Sequence, residues 1–219
     1  MLLLSYLGSA FSFTKLSEPL QVVLFALVVL LALRTSPLGR QRTTLIGAVV
    51  AVGSVGAMLA ALTGTRTGYG ISDVWKGLVL LLSAVLIVRR VLARPTVTIQ
   101  SIYGALSAYL IVGLMFAALY AAMQHLSGSS FFVDREAGNT QTFQYFSFTT
   151  LTTLGYGDFT AASDGGRAIA VIEALAGQVF LATLVARLVA GFRPSGEGQR
   201  RQVPRHQPRH PARRASRKP

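Results

Sequence analysis

Residues 152–158 read Thr-Thr-Leu-Gly-Tyr-Gly-Asp and place glycine at two alternate positions. Backbone carbonyls can replace the water around a dehydrated cation only where successive residues point them the same way. L-residues do not adopt that conformation in an unbroken row. Gly155 and Gly157 supply the alternation, Tyr156 between them can pack outward, and Thr153 can add a hydroxyl below the carbonyls. The segment therefore has the composition of an ion-selectivity filter.

The composition indicates that this segment sits in a membrane protein. The chain has 219 residues, of which 52% are hydrophobic and only 13% are charged. A soluble domain of this length carries far more charge. The apolar residues fall in blocks of helix-spanning length, whereas a membrane barrel would show short alternating segments. The predicted fold class is an all-α membrane protein with several spanning helices.

The sequence offers little for catalysis. It contains no cysteine, and none of its three histidines, His125, His206 and His210, sits near a matching carboxylate or serine in the sequence. We find no phosphate-binding loop and no metal-ligand spacing. We therefore expect no enzyme, no catalytic residue and no cofactor apart from a permeant ion.

The first half of the chain predicts helices without a recognisable site. Residues 1–19 are expected to form an interfacial segment, with a truncated span over 1–13 as the alternative. Spans are predicted at about 20–33, 45–62 and 71–88. Trp75 and Lys76, near the start of the third span, are expected to anchor it at the membrane interface.

Arginines at the span ends predict the orientation. They occur in two loops, as Arg34, Arg40 and Arg42 in one and Arg89, Arg90 and Arg94 in the other. Because they cluster at span ends and do not repeat through a helix, they fit the positive-inside rule better than a voltage sensor. The expected location is the cell membrane, with the C-terminus cytoplasmic and the filter facing outside.

The region around the filter predicts a complete pore domain over 97–192. A long apolar helix at about 97–125 is followed by the hydroxyl- and aromatic-rich stretch 142–152, the filter at 153–158 and a final helix at 168–190. The stretch 142–152 is too short and too polar to span, but it suits a re-entrant helix whose C-terminal dipole favours a cation.

Three stretches carry a resemblance to a known family: 146–152, the filter, and 173–178, which reads Glu-Ala-Leu-Ala-Gly-Gln. Over 99–192 the chain resembles the pore domain of tetrameric potassium channels, and is closest to the small bacterial ion-channel or two-pore-like members. Leu154 stands where the commonest filter has Val. The resemblance implies K⁺ coordination by Thr153, Leu154, Gly155, Tyr156 and Gly157, with the ion at the first four of these residues.

The resemblance also implies roles for the flanking residues. Gly177 falls at the inner-helix hinge, although a small residue needed for packing explains it equally well. Cavity-lining positions are Gln178, Leu181, Ala182 and Val185, and filter support is assigned to Asp158, Thr152, Thr149, Tyr145 and Phe146. The family often has two Trp at 145 and 146 and a Glu at 149, so the bracing of this filter departs from the family pattern.

Glu173 and Arg187 are charges inside the final helix. A buried acid at membrane depth is costly unless it has partners, so we expect Glu173 to face the re-entrant helix and not lipid. Arg187, near the inner end, is expected to extend toward the interface.

The tail, residues 193–219, is rich in arginine and proline and nearly devoid of apolar residues. It is expected to be disordered and to lie against anionic lipid headgroups, because it directly follows a membrane exit. We expect no nucleic-acid partner.

One filter per chain provides one quarter of a pore, so closure predicts a homotetramer. The leading expectation is a potassium-selective channel without chemistry of its own. The alternatives are a weakly selective cation channel and a non-conducting membrane scaffold that retains a pore domain. A K⁺-transporter subunit would need four pore loops per chain, and only one is present.

Overall fold

A computed structural model describes residues 40–93, 98–133 and 137–191. The predicted interfacial segment 1–19, the predicted span 20–33 and the basic tail 193–219 lie outside the described residues. The expectations about them, which are an interfacial segment, a span, and a disordered tail that lies against anionic lipid, therefore stay predictions.

The described part of the chain is helical and contains no β-strand beyond one isolated bridge between Phe132 and Ala161. Its helices are α1 (Arg40–Leu62), α2 (Arg66–Leu92), α3 (Ile99–Ser127), α4 (Thr140–Leu151) and α5 (Asp164–Gly191). Four of them, all except α4, are long and apolar enough to cross a membrane. The predicted class, an all-α membrane protein, is confirmed.

Three of the described helices begin directly after polar capping residues, and not at the edges of the apolar blocks from which their bounds were predicted. Thr65 accepts a hydrogen bond from the N–H of Gly68, so α2 begins at Arg66 instead of 71. Thr98 and Asn139 cap α3 and α4 in the same way. A side-chain oxygen satisfies one of the free N–H groups of a first turn, and the helix therefore starts directly after it.

The remaining bounds also differ from those predicted. Helix α1 begins at Arg40 instead of 45, α3 covers Ile99–Ser127 instead of 97–125, and α5 begins at Asp164 instead of 168. The turns added at the starts of α1 and α5 contain polar residues, which a hydropathy block does not include.

Helices α2 and α3 pack along their length and form the most extensive described helix pair. Leu80 and Ala84 of α2 contact Ile111 and Leu114 of α3 in one buried cluster. On the other side of α2, the Trp75 ring lies against α1, where a Cβ on Gly53 would be 2.0 Å from it.

Trp75 and Lys76 are not the interface anchors that were expected. The Trp75 Nε1–H donates to Ser54 Oγ of α1 at 3.2 Å, so the ring joins two helices. Lys76 is buried, with its Nζ 3.0 Å from Asp73 Oδ1, and His125 Nδ1 of α3 lies 2.8 Å from Asp73 Oδ2. The cost of burying these charges is offset by mutual pairing, which hydropathy alone does not reveal.

A buried aromatic cluster holds α4 against α3. It consists of Phe116, Tyr120, Phe131, Phe132, Phe143 and Phe146. Phe131 makes ring contacts with Tyr120 at 5.0 Å and with Phe143 and Phe146 at 5.8 Å between centroids. Edge-on and tilted arrangements of this kind stabilise aromatic pairs beyond their buried area.

The helix directions define two ends of the molecule. Helix α3 begins at one end of the molecule, and helices α2 and α5 finish there. We call this the basic end. Arg187 Nη2 lies there, 3.5 Å from the Leu92 carbonyl oxygen. The loop after α4, which contains residues 153–157, lies at the opposite end, and we call this the filter end.

Candidate functional site

The backbone of residues 153–157 alternates in conformation. Helix α4 ends at Leu151, and φ is positive at Thr153 (60°), Gly155 (51°) and Gly157 (81°), with Leu154 and Tyr156 between them on the negative side. Alternating left- and right-handed conformations turn successive carbonyls toward the same side of the chain. The glycines therefore occur where the predicted alternation requires them, and Thr153 extends it by one further residue.

The two glycines are required by conformation and not by space. A Cβ at Gly155 or Gly157 would meet nothing within 4 Å in the single chain. Their φ values lie in the region that costs a residue with a side chain about 1–2 kcal/mol. Thr153 adopts the same region without being glycine, which sequence reasoning missed because the residue type gives no signal for it.

The amides at the start of this segment are bound to the end of α4. Leu154 N–H donates to the Thr149 carbonyl at 2.8 Å and Gly155 N–H to the same oxygen at 3.2 Å, while Thr153 N–H donates to Thr150 at 2.9 Å. Within the described residues, the carbonyls of 153–157 accept no hydrogen bond. The segment therefore uses its lower donors to fix itself to α4 and leaves a row of acceptors available.

Three of the predicted support residues contact the segment or the turn before it. The Thr149 carbonyl holds two of its amides, and the Tyr145 ring stacks on Tyr156 with centroids 6.3 Å apart and planes at 8°. The Thr152 hydroxyl donates to the Phe148 carbonyl at 2.6 Å and closes the last turn of α4.

The other two predicted support residues, Phe146 and Asp158, make their contacts elsewhere. Phe146 is buried in the aromatic cluster, where it contacts Tyr120, Phe131 and Phe132 and supports α4 from behind. The Asp158 carboxylate accepts from the Phe159 N–H at 3.1 Å, within its own loop. In the single chain these two residues thus support the helix and the loop, and not the filter backbone itself.

Helix α5 touches the base of the segment at two successive residues. A Cβ on Gly177 would be 2.3 Å from the Leu151 carbonyl oxygen, and Gln178 Nε2–H donates to Thr153 Oγ1 at 3.2 Å. Tyr109 of α3 donates to the same Leu151 carbonyl at 3.2 Å. The glycine therefore permits a close approach between α5 and the end of α4. Because α5 is continuous through Gly177, its role as a hinge stays a prediction.

Below the segment, most of α5 is exposed in the single chain, including the face that points along the pore in the prediction. This face carries Gln178, Leu181, Ala182 and Val185, the four positions predicted to line a cavity. None of these residues is charged, so a cation on this face would meet no fixed positive charge.

Glu173 lies behind α4 and away from that face. Its side chain is completely buried and accepts hydrogen bonds from Ser147 Oγ at 2.5 Å and from the Tyr120 hydroxyl at 2.6 Å. Ser147 Oγ is also 2.6 Å from the Gly113 carbonyl. The carboxyl group thus connects α3, α4 and α5 through hydroxyl partners. The sequence predicted that Glu173 faces α4, but it did not predict which residues would be its partners.

No side-chain metal centre is present among the described residues, where no group of three His, Asp or Glu is close enough to hold an ion.

Comparison with known proteins gives one match. Residues 104–193 match a family model described as an ion channel. No curated protein and no solved structure matches the chain. The matched range begins in α3 and includes α4, residues 153–157 and all of α5.

Proposed function

Because residues 104–193 of this chain match a family model described as an ion channel, we propose that four copies of it form a potassium-selective channel. The observation that carries the proposal is the alternation of positive φ at residues 153, 155 and 157. It supports a row of carbonyls that can replace the hydration shell of K⁺.

The need for four copies follows from the exposure of the site. Residues 153–157 and the α5 face below them are exposed in the single chain. A single row of carbonyls cannot surround an ion, whereas a closed fourfold ring places four rows around one axis. We therefore propose a homotetramer in which the filter carbonyls and the uncharged α5 faces line the pore.

Helix α4 adds a favourable field for a cation. Its C-terminal end carries the partial negative charge of the helix dipole and lies directly at the base of the filter. Four such ends around an axis would stabilise a K⁺ ion below the filter without a charged side chain.

The orientation we propose places the filter outside and the basic end in the cytoplasm. Helix α2 ends at the basic end with Arg89 and Arg90, both exposed, and α5 leads there into the arginine-rich tail. Basic residues next to spans stay on the cytoplasmic side.

A flux assay on the protein reconstituted in liposomes tests the proposal. We expect an outward K⁺ gradient to drive flux that an equal Na⁺ gradient does not. Gly157→Ala should reduce the K⁺ flux, because alanine at φ 81° is strained in every subunit. Gly56→Ala, a helical glycine with nothing within 4 Å of its Cβ position, is the matched control.

Two results would contradict the proposal in different ways. Equal Na⁺ and K⁺ flux would indicate a weakly selective cation channel. An intact oligomer without any K⁺ flux would indicate a non-conducting scaffold.

A further inference from the structure

A small cavity lies between α2, α3 and α4. Its volume is about 30 Å³, which leaves room for roughly one water molecule. Asp73 and Lys76 of α2 line it together with Thr140 and Gln144 of α4. We call it the α2–α4 cavity. Polar groups of two helices that are not consecutive in the chain therefore share a space the size of a water molecule.

Helix α3 packs against both α2 and α4, and it contributes three alanines and one leucine to the cavity. They are Ala117, Ala118, Ala121 and Leu114. Because alanine has no side-chain atom beyond Cβ, this face of α3 leaves space between the polar groups of α2 and those of α4. The α2–α4 cavity is thus a place where α2 can act on α4 past the helix that packs against both.

The polar side chains around the cavity are buried at membrane depth. Lys76 lies about 15 Å along α2 from the first residue of that helix, Arg66. Asp73, Lys76 and Gln144 are only 6–7% exposed. Ionisable residues at such depth are costly and are a mark of function in membrane helices. Pairing between Asp73 and Lys76 offsets the cost of the charges, but it does not explain why Lys76 lies beside α4.

The rotation of α4 connects the cavity to the proposed filter. Gln144 lines the cavity, and the next residue, Tyr145, stacks its ring on Tyr156 with the two planes 8° apart. Successive residues of a helix point about 100° apart, so one turn of α4 faces the cavity with Gln144 and the filter with Tyr145. A rotation of α4 that moved Gln144 would therefore also move the ring that supports Tyr156.

We propose that Lys76 and Gln144 are positioning residues for the filter. Their polar interaction through the α2–α4 cavity fixes the rotation of α4, and α4 in turn holds the Tyr145 ring against Tyr156. Helix α2 precedes residues 104–193, the range that matches the ion-channel model, so a helix outside that range acts on the filter. The effect on conduction rests on the proposed channel function, whereas the effect on α4 does not.

Amide hydrogen exchange of the full chain in detergent, followed by mass spectrometry, tests the effect on α4. In Lys76→Met we expect exchange in peptides from 140–157 to rise about fivefold, the factor that corresponds to one lost hydrogen bond, and exchange in 40–62 to stay at the parent rate. Trp75→Phe is the matched control. Trp75 precedes Lys76 but faces α1, where it donates to Ser54, so its replacement should speed exchange in 40–62 and not in 140–157.

Gln144→Leu tests the other side of the cavity. It should speed exchange in 140–157 as Lys76→Met does, and the variant with both changes should exchange no faster than either single variant, because both remove the same interaction. If Lys76→Met does not assemble, Asp73→Asn with Lys76→Met takes its place, since this combination leaves no buried carboxylate without its ammonium partner.

Liposome flux adds a readout that a general loss of packing would not move. The ratio of Na⁺ flux to K⁺ flux should rise in Lys76→Met and in Gln144→Leu, and it should keep the parent value in Trp75→Phe. The proposal would be overturned by faster exchange in all helices alike, by additive effects of the two substitutions, or by an unchanged flux ratio. A parent protein without K⁺ flux would count against the channel proposal alone, because the exchange measurement needs no conduction.

Discussion

Replacing Gly177 by alanine should separate a packing glycine from a hinge glycine. The new Cβ would lie 2.3 Å from the Leu151 carbonyl oxygen, and contacts below 3.0 Å are essentially never observed. The Leu151 carbonyl is also held by the Tyr109 hydroxyl, so it is poorly placed to move. We therefore expect α5 to shift away from the end of α4.

The size of the effect follows from two opposing terms. Overpacking a tight interface costs about 1–3 kcal/mol. Exchanging glycine for alanine inside a helix raises the free energy of unfolding by about 1 kcal/mol. Gly177→Ala should thus lower the free energy of unfolding by up to about 2 kcal/mol per subunit, whereas Gly56→Ala, with nothing within 4 Å of its Cβ position, should leave it equal or raise it.

The same shift should affect the filter. The hydrogen bond from Gln178 to Thr153 is already 3.2 Å long, and retreat of α5 would break it. Gly177→Ala should therefore reduce K⁺ flux and stability together. Denaturing-detergent titration followed by circular dichroism, with liposome flux on the same preparation, measures both quantities.

The reasoning would be refuted if Gly177→Ala were as stable as Gly56→Ala. A stable variant with altered flux alone would instead favour the hinge interpretation, because a hinge affects opening and not the packing of the closed helix.

Two further substitutions test the buried polar groups. Tyr120→Phe removes the donor to Glu173 Oε2 and should cost about 1–3 kcal/mol in thermal unfolding, whereas Tyr103→Phe, at an exposed position, should cost little. Lys76→Met takes the ammonium away from the buried Asp73 carboxylate and should cost about 3–5 kcal/mol. The double variant with Asp73→Asn should recover part of that loss, and an equal loss in single and double variants would count against the pair.

The backbone conformation of residues 153–157, the proposed filter, is the part of the site that could be predicted best from sequence. Its geometry depends on backbone φ, and Gly155 and Gly157 report positions where positive φ is needed. Thr153 adopts positive φ as well, but threonine does not signal it. That conformation is imposed by the hydrogen bonds between the filter amides and the end of α4, which only the folded chain contains.

The helices were predictable in kind but less so in their limits and partners. Hydropathy finds the apolar blocks, whereas capping residues set where the helices start: Thr65 and Asn139 lie before the predicted blocks, and Thr98 lies inside its block. Trp75 and Lys76 were predicted to lie at the membrane interface for a related reason. A polar atom near the end of a predicted span suggests contact with water, but here each of the two side chains has a polar partner on a helix.

The carbonyls of residues 153–157, which accept no hydrogen bond within the described residues, have a thermodynamic consequence for the proposed tetramer. Four rows of oxygens brought together around an axis repel one another, and a bound K⁺ offsets that repulsion only in the assembled state. By linkage, an ion that binds the assembly and not the separated chains stabilises it in proportion to the logarithm of its concentration. K⁺ would then be both the transported ion and a ligand that holds the subunits together, so oligomer stability should rise with K⁺ and not with Na⁺.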